Sequence, residues 1–150
     1  MPIAEKINEE IKKALKSGDK GRLRAIRAIK AALLLAQKEG GNTEIDDTRA
    51  IQIIQKLIKQ RKESLEIYEK SGREDLAQRE REELEVLQAY LPQQLSEEEI
   101  RQHAQRVVEQ MGATSIRDMG KVMGRLTKEL AGRADNAVVA KIVKQLLGGV

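Results

Sequence analysis

Apolar residues recur three and four positions apart along nearly the whole chain, and no stretch alternates them convincingly with polar ones. Ile3, Ile7, Ile11, Ala14 and Leu15 form one such series. Leu23, Ile26, Ile29 and Leu33 form the next, and Ile51, Ile54, Leu57, Ile58, Leu65 and Tyr68 a third. Leu76, Leu84, Leu87 and Leu91 follow, then Ile100, Ala104, Val107, Val108 and Met111. A period near 3.6 places these side chains on one face of a helix, whereas a half-buried strand needs a period of two. The sequence therefore predicts an all-α protein of about seven helices. The first four build a long antiparallel helical region over residues 1–94, and the last three a compact C-terminal bundle over 95–150.

The punctuation between the series supports this division. Gly18 suits a helix C-cap and Asp19 the next N-cap; residues 20–38 follow as a helix. Glu39-Gly40-Gly41-Asn42-Thr43 is the clearest loop. Asp46 or Asp47 starts a long helix to about Lys70, Gly72 breaks it, and another runs over 73–91. Leu91-Pro92-Gln93-Gln94-Leu95 is the candidate domain boundary, because proline ends a helix. Ser96-Glu97-Glu98-Glu99 has the spacing of a capping box. Thr114 or Ser115 is placed to cap the sixth helix, Gly132 to end it, and Asp135 or Asn136 to cap the seventh.

Charge divides the chain differently. Residues 1–62 carry 15 basic and 8 acidic side chains, residues 63–101 carry 5 and 12, and residues 102–150 carry 8 and 4. Two basic ends thus flank an acidic middle. The acidic segment either neutralises its neighbours on folding or leaves two cationic surfaces for phosphate or acidic partners. There is no cysteine, so disulfides, thiolate metal sites and thiol nucleophiles are excluded. The start, Met1-Pro2-Ile3-Ala4-Glu5-Lys6, is polar and does not read as a secretory signal. No apolar run approaches the ~20 residues that span a bilayer. These features lead to the expectation of a soluble cytoplasmic protein with no membrane partner.

The chain offers little for catalysis. His103 is its one histidine and lies in a polar part of its helix. Glu80, Glu82, Glu83 and Glu85 read as a solvated helix face, and no cluster has metal-ligand spacing. Gly120-Lys121 is no phosphate loop, since Ser115 and Val122 stand where that motif needs glycine and serine or threonine. No cofactor is expected.

The most distinctive stretch is Asp118-Met119-Gly120-Lys121-Val122-Met123-Gly124-Arg125-Leu126, followed by Gly132-Arg133-Ala134-Asp135. Ile116, Met119, Val122, Met123, Leu126 and Leu130 make its apolar stripe. Lys121, Arg125 and Lys128 fall opposite, either as an ordinary solvated face or as a cationic binding face. Gly120 and Gly124 are expected to mark a close approach on the flank, by another helix or by a ligand. Each costs roughly 1 kcal/mol against alanine in a helix interior. Arg133 would sit at a helix junction beside backbone N–H groups, a favourable place for phosphate. A second basic group comprises Lys56, Lys59, Arg61 and Lys62. Lys20, Arg24, Arg27 and Lys38 fall near one another on the far face of the helix over 20–38.

These residues carry a resemblance. The glycine-bearing stretch and its Gly-Arg-Ala-Asp sequel resemble the signature of the YqeY family. So do Arg22-Leu23 through Ile26-Arg27 and Lys30, Lys59-Gln60-Arg61-Lys62-Glu63-Ser64, Gly72-Arg73-Glu74-Asp75-Leu76 and Tyr90-Leu91-Pro92-Gln93-Gln94-Leu95-Ser96. That family shares its C-terminal domain with the tail of GatB, the B subunit of the tRNA-dependent amidotransferases. The resemblance implies a link to glutamine-dependent carbon–nitrogen ligases and a tail domain that helps hold tRNA. Neither the amidase site nor the ATP-dependent kinase site of such an enzyme can be assembled from these residues. The expected role is a noncatalytic tRNA-binding accessory module. Its candidate RNA contacts are Lys121, Arg125, Lys128, Arg133, Lys59, Arg61, Lys62, Arg22, Arg27 and Lys30. Without Trp or Phe, base stacking is disfavoured and a folded RNA shape is the expected target. The alternative is a docking module for a synthetase or amidotransferase protein.

Overall fold

The computed structural model of the protein describes residues 1–148, and these hold seven α-helices and no strand. They divide into two compact units, Met1–Leu91 and a second that begins at Pro92.

The first unit contains α1 (Ile3–Ser17), α2 (Lys20–Glu39), α3 (Asp47–Lys70) and α4 (Glu74–Gln88). Local chemistry sets their ends. Gly18 takes a left-handed conformation (φ 72°) that a side chain would strain, closing α1. The carboxylates of Asp19 and Asp46 accept the N–H groups of Arg22 and Arg49 and start α2 and α3. Gly72, at φ 73°, turns the chain from α3 into α4. The fourth helix ends at Gln88, short of the expected Leu91. Tyr90 and Leu91 make tighter i→i−3 bonds to Leu87 and Gln88, and the residue before a proline disfavours the α conformation. Ile7, Ile26, Ile29, Ile54 and Leu87 are fully buried and form the centre of this unit's core. Leu15, expected on the buried stripe, is exposed, because its position rotates it to the stripe's edge.

The second unit contains α5 (Glu97–Met111), a 3₁₀ turn (Ile116–Asp118), α6 (Met119–Glu129) and α7 (Asn136–Gly148). Its entry is tied down by backbone geometry. The Gln94 side-chain amide donates to the carbonyls of Pro92 and Gly132, at 2.8 and 2.7 Å, and the Leu95 N–H donates to the Arg133 carbonyl at 2.9 Å. Ser96 and Glu99 form the reciprocal capping box at the start of α5. Ser115 caps the 3₁₀ turn, whose closing Asp118 accepts the N–H groups of Thr114 and Ser115. That turn is out of phase with α6. Ile116 is consequently 48% exposed and does not join the apolar stripe.

Val107, Val122, Leu126, Val139 and Val143 have no measurable exposure and define the second core. Each such side chain contributes roughly 1.5–3 kcal/mol on burial. A unit near 55 residues has a small margin, so cavities are costly. Leu126→Ala is expected to cost about 3 kcal/mol, while the volume-conserving Leu126→Met costs under about 1.5 kcal/mol. Urea unfolding followed by circular dichroism checks this.

Candidate nucleic-acid interface

The orientation of α6 follows from its apolar stripe. Val122, Leu126 and Leu130 point into the core and Met119 and Met123 pack beside them. Successive residues turn by about 100°, so Lys121, Gly124, Arg125 and Lys128 must face outward. All four are exposed, as is Gly120. Arg117, in the 3₁₀ turn just before α6, is exposed too and adds a cation near the start of the helix. The sequence reading passed it over because it falls in a turn, although the four-residue spacing to Lys121 and Arg125 was visible. The Arg125 guanidinium donates to the neutral Gln110 side chain at 2.6 Å, which orients it without cancelling its charge. Asp118 lies at the start of the face. The N–H groups of Thr114 and Ser115 hold its carboxyl below the usual carboxylate range, and Lys121 adds slightly.

The two glycines correct one expectation. A Cβ added at Gly120 or Gly124 would meet nothing within 4 Å. No other helix of the described structure therefore requires them, and the packing explanation fails. Gly124 sits among the cations, where a glycine weakens the helix and leaves open space above its backbone.

Arg133 is half-buried in the turn between α6 and α7, where its Nε reaches the Gln93 carbonyl at 3.4 Å. The phosphate-binding role expected there meets competition. The Asp135 carboxylate already accepts the Ala137 N–H at 2.8 Å, so the N-terminus of α7 holds its own anion.

The N-terminal cations sort into two groups. Arg27, Lys30, Lys59 and Lys62 are exposed. Arg22 instead pairs with Glu10 at 2.9 Å, and this bond holds the Glu10 carboxyl below its ordinary range. Arg61 is a clearer correction. It lies on the core-facing line of α3 with Ile54, Ile58 and Leu65, and its guanidinium contacts Glu83 at 3.0 Å and Glu80 at 3.6 Å. Glu83 also receives Arg24 at 3.3 Å. Glu80 and Glu83, expected on a solvated face, are buried. The signal was present: Ala77, Glu80, Leu84 and Leu87 share one helical line, which places a glutamate inside the apolar stripe. One oxygen of Glu80 finds no hydrogen-bond partner. Burial raises its pKa above the ordinary value and Glu83 adds to the rise, against the pull of Arg61. His103 contacts the Arg106 guanidinium at 3.2 Å.

The architecture is that of a two-unit, all-helical protein whose principal surface feature is a cationic helix face. A model of the Yqey-like protein family matches residues 4–147, and the chain belongs to that family. Its relatives include Altered inheritance of mitochondria protein 41, mitochondrial, of Pyrenophora tritici-repentis, 32% identical over 149 residues that cover 97% of this chain and 81% of the relative. The proteins of the same name from Eremothecium gossypii and Vanderwaltozyma polyspora are 31% and 33% identical over 85 residues, 57% of this chain. The match spans 46% of the length of each of those two relatives. These relatives are named as mitochondrial proteins, which overturns the expectation of a cytoplasmic protein. That expectation rested on the lack of a secretory signal and of long apolar runs, features that do not bear on mitochondrial targeting. Among the described residues, no helix is long and apolar enough to cross a membrane.

The buried network gives a signed pH prediction. Because the folded pKa of Glu80 is raised, the folded state holds the proton more tightly than the unfolded chain. Stability from this group is present below the ordinary glutamate value and is lost as pH rises through the raised one. Glu80→Gln is therefore expected to be at least as stable as the wild type at pH 7, with the advantage gone near pH 4. Glu83→Gln, which strips two arginines of a shared partner, lowers stability by about 1–2 kcal/mol, a figure reduced because both guanidinia are partly solvated. Urea titrations across pH measure both.

Proposed function

We propose that the protein is a noncatalytic RNA-binding module and that tRNA is its natural class of ligand. The contact surface is the exposed face of α6. The observation that carries this reading is that, among the described residues, the cations of α6 form no ion pair and its glycines meet no other side chain. Lys121, Arg125 and Lys128 supply positive charge along one line, and Arg117 adds to it near the start of the helix. Gly124, and Gly120 on the flank, keep that line low, so that a phosphate backbone can come closer to the helix than side chains would allow. Such contacts read charge and shape and carry little sequence information. The family resemblance to the amidotransferase tail domain supports tRNA as the folded RNA in question. Exposed Lys59 and Lys62 on α3 are candidates for a supplementary contact. The other reading, docking on a synthetase or amidotransferase, draws on exposed Leu35 and Ile67 of the first unit. Exposed apolar side chains of this kind are common on protein surfaces and do not by themselves mark an interface.

Neutralising about four phosphates predicts a loss of roughly a hundredfold in tRNA affinity between about 50 and 200 mM salt. Lys121→Glu/Arg125→Glu is expected to weaken binding at least about tenfold at the lower salt. Gly124→Ala should stabilise the protein by about 0.5–1 kcal/mol, since it fills open space on a helix. Gly124→Gln should keep the fold and still weaken tRNA binding. Filter binding and urea unfolding on the same samples test the set. Undiminished binding by the charge-reversed variant would remove α6 from the account.

A further inference from the structure

The first unit carries a groove rimmed mainly by carboxylates. It has a volume of about 810 Å³ and runs between α1, α2 and the loop that leads into α3. Its apolar floor comes from Ile7, Leu33, Leu34 and Ile45. Leu34 is 48% exposed there, although its neighbour Leu33 is buried. Its rim holds four carboxylates, Glu5, Glu44, Asp46 and Asp47, against two cationic groups, Lys30 and the Met1 α-ammonium. Residues 1–62 have a net charge of +7, so a locally acidic groove runs against the composition of its own segment. None of the four carboxylates takes part in an ion pair among the described residues. Asp46 and Asp47 each use one oxygen on a backbone N–H, of Arg49 and Ile3, and keep the other. Glu5 and Glu44 are exposed and uncommitted.

We infer that this groove docks a short cationic amphipathic helix of a partner protein. The apolar side of such a helix would lie on exposed Leu34 and part-exposed Ile45, over the buried floor of Ile7 and Leu33, and its lysines or arginines would reach Glu5, Glu44, Asp46 and Asp47. Helix-in-groove recognition has this division of labour: spaced apolar anchors supply affinity and flanking charge supplies orientation. Charge complementarity selects this occupant. RNA is repelled by the four carboxylates. The site is separate from α6, so the protein would have one surface for phosphate and another for a basic protein segment. This inference does not depend on the RNA reading.

Fluorescence anisotropy on the full chain tests it. The probe is a labelled peptide of about 14 residues, roughly four turns, made of leucine, alanine and lysine with the leucines on one face. Two comparison peptides have the same composition with the leucines spread around the helix, or glutamate in place of each lysine. The amphipathic basic peptide is expected to bind at least about tenfold more tightly than either. Glu44→Lys and Leu34→Ser each remove a comparable factor, while Lys121→Glu/Arg125→Glu leaves peptide binding unchanged. Both single changes are at exposed positions, and circular dichroism verifies that helix content is kept. Equal binding of the shuffled peptide, binding indifferent to the two groove variants, or no binding of the amphipathic peptide would each overturn the inference. So would concentration-dependent self-association in sedimentation that Leu34→Ser abolishes, because the face would then belong to a second copy.

Discussion

Burial of Val122, Leu126 and Leu130 against α5 and α7 removes the rotational freedom of α6. Once those side chains are committed to the core, helix geometry assigns every other residue of the segment to a face. Lys121, Arg125 and Lys128 are turned to solvent together, and Gly124 is placed among them. The out-of-phase 3₁₀ turn before the helix is fastened by Ser115 and Asp118, and Ile116 is left exposed. A cationic surface arises here as a geometric consequence of apolar packing. The glycines are not such a consequence. They weaken a short helix in a small unit and meet nothing in return among the described residues. That imbalance is what gives the face a functional reading beyond the ordinary solvation of a helix.

The first unit distributes its charges in the opposite manner. Arg61 and Glu80 each occupy a core-facing line of their helix, and Glu83 joins α2 to α3 by receiving both Arg24 and Arg61. A charge within an apolar stripe is weak evidence of stability, but it penalises any register that separates it from its partner. The Arg61–Glu83 contact is thus best understood as a register device for α3 and α4. It draws Arg61 away from the set of candidate RNA contacts. Elsewhere in the same unit, carboxylates without ion pairs gather around exposed Leu34. Cations serve the interior in one place, and anions remain free on the surface in another, despite a basic overall composition.

Much of the fold was legible because its signals were local. Asp19, Asp46, Ser96 and Asp135 cap the helices at which their side chains pointed, and Gly18 and Gly72 end or turn helices where a left-handed residue is needed. The candidate site was only partly legible. Periodicity placed Lys121, Arg125 and Lys128 on one exposed face, but it could not tell Arg61 from an ordinary surface arginine, because its carboxylates lie on another helix. It could not separate a packing glycine from an open one for the same reason: the answer depends on what other elements leave vacant. The acidic groove was invisible, since Glu5 and Asp47 are far apart in sequence and meet only after α1 and α3 are folded. The cytoplasmic expectation failed for a different reason, because compartment is not encoded in the periodicity and charge that encode the fold.

We propose that RNA phosphates approach the exposed backbone of α6. The most direct measurement is a two-dimensional amide NMR titration of the isotope-labelled protein with tRNA, because the amides of Gly120 and Gly124 report on that backbone itself. The account predicts that these two amides, with those of Lys121, Arg125 and Lys128, shift on tRNA addition and return as salt is raised. Shifts confined to the first unit, or no shift at Gly120 and Gly124 while tRNA binds, would contradict it.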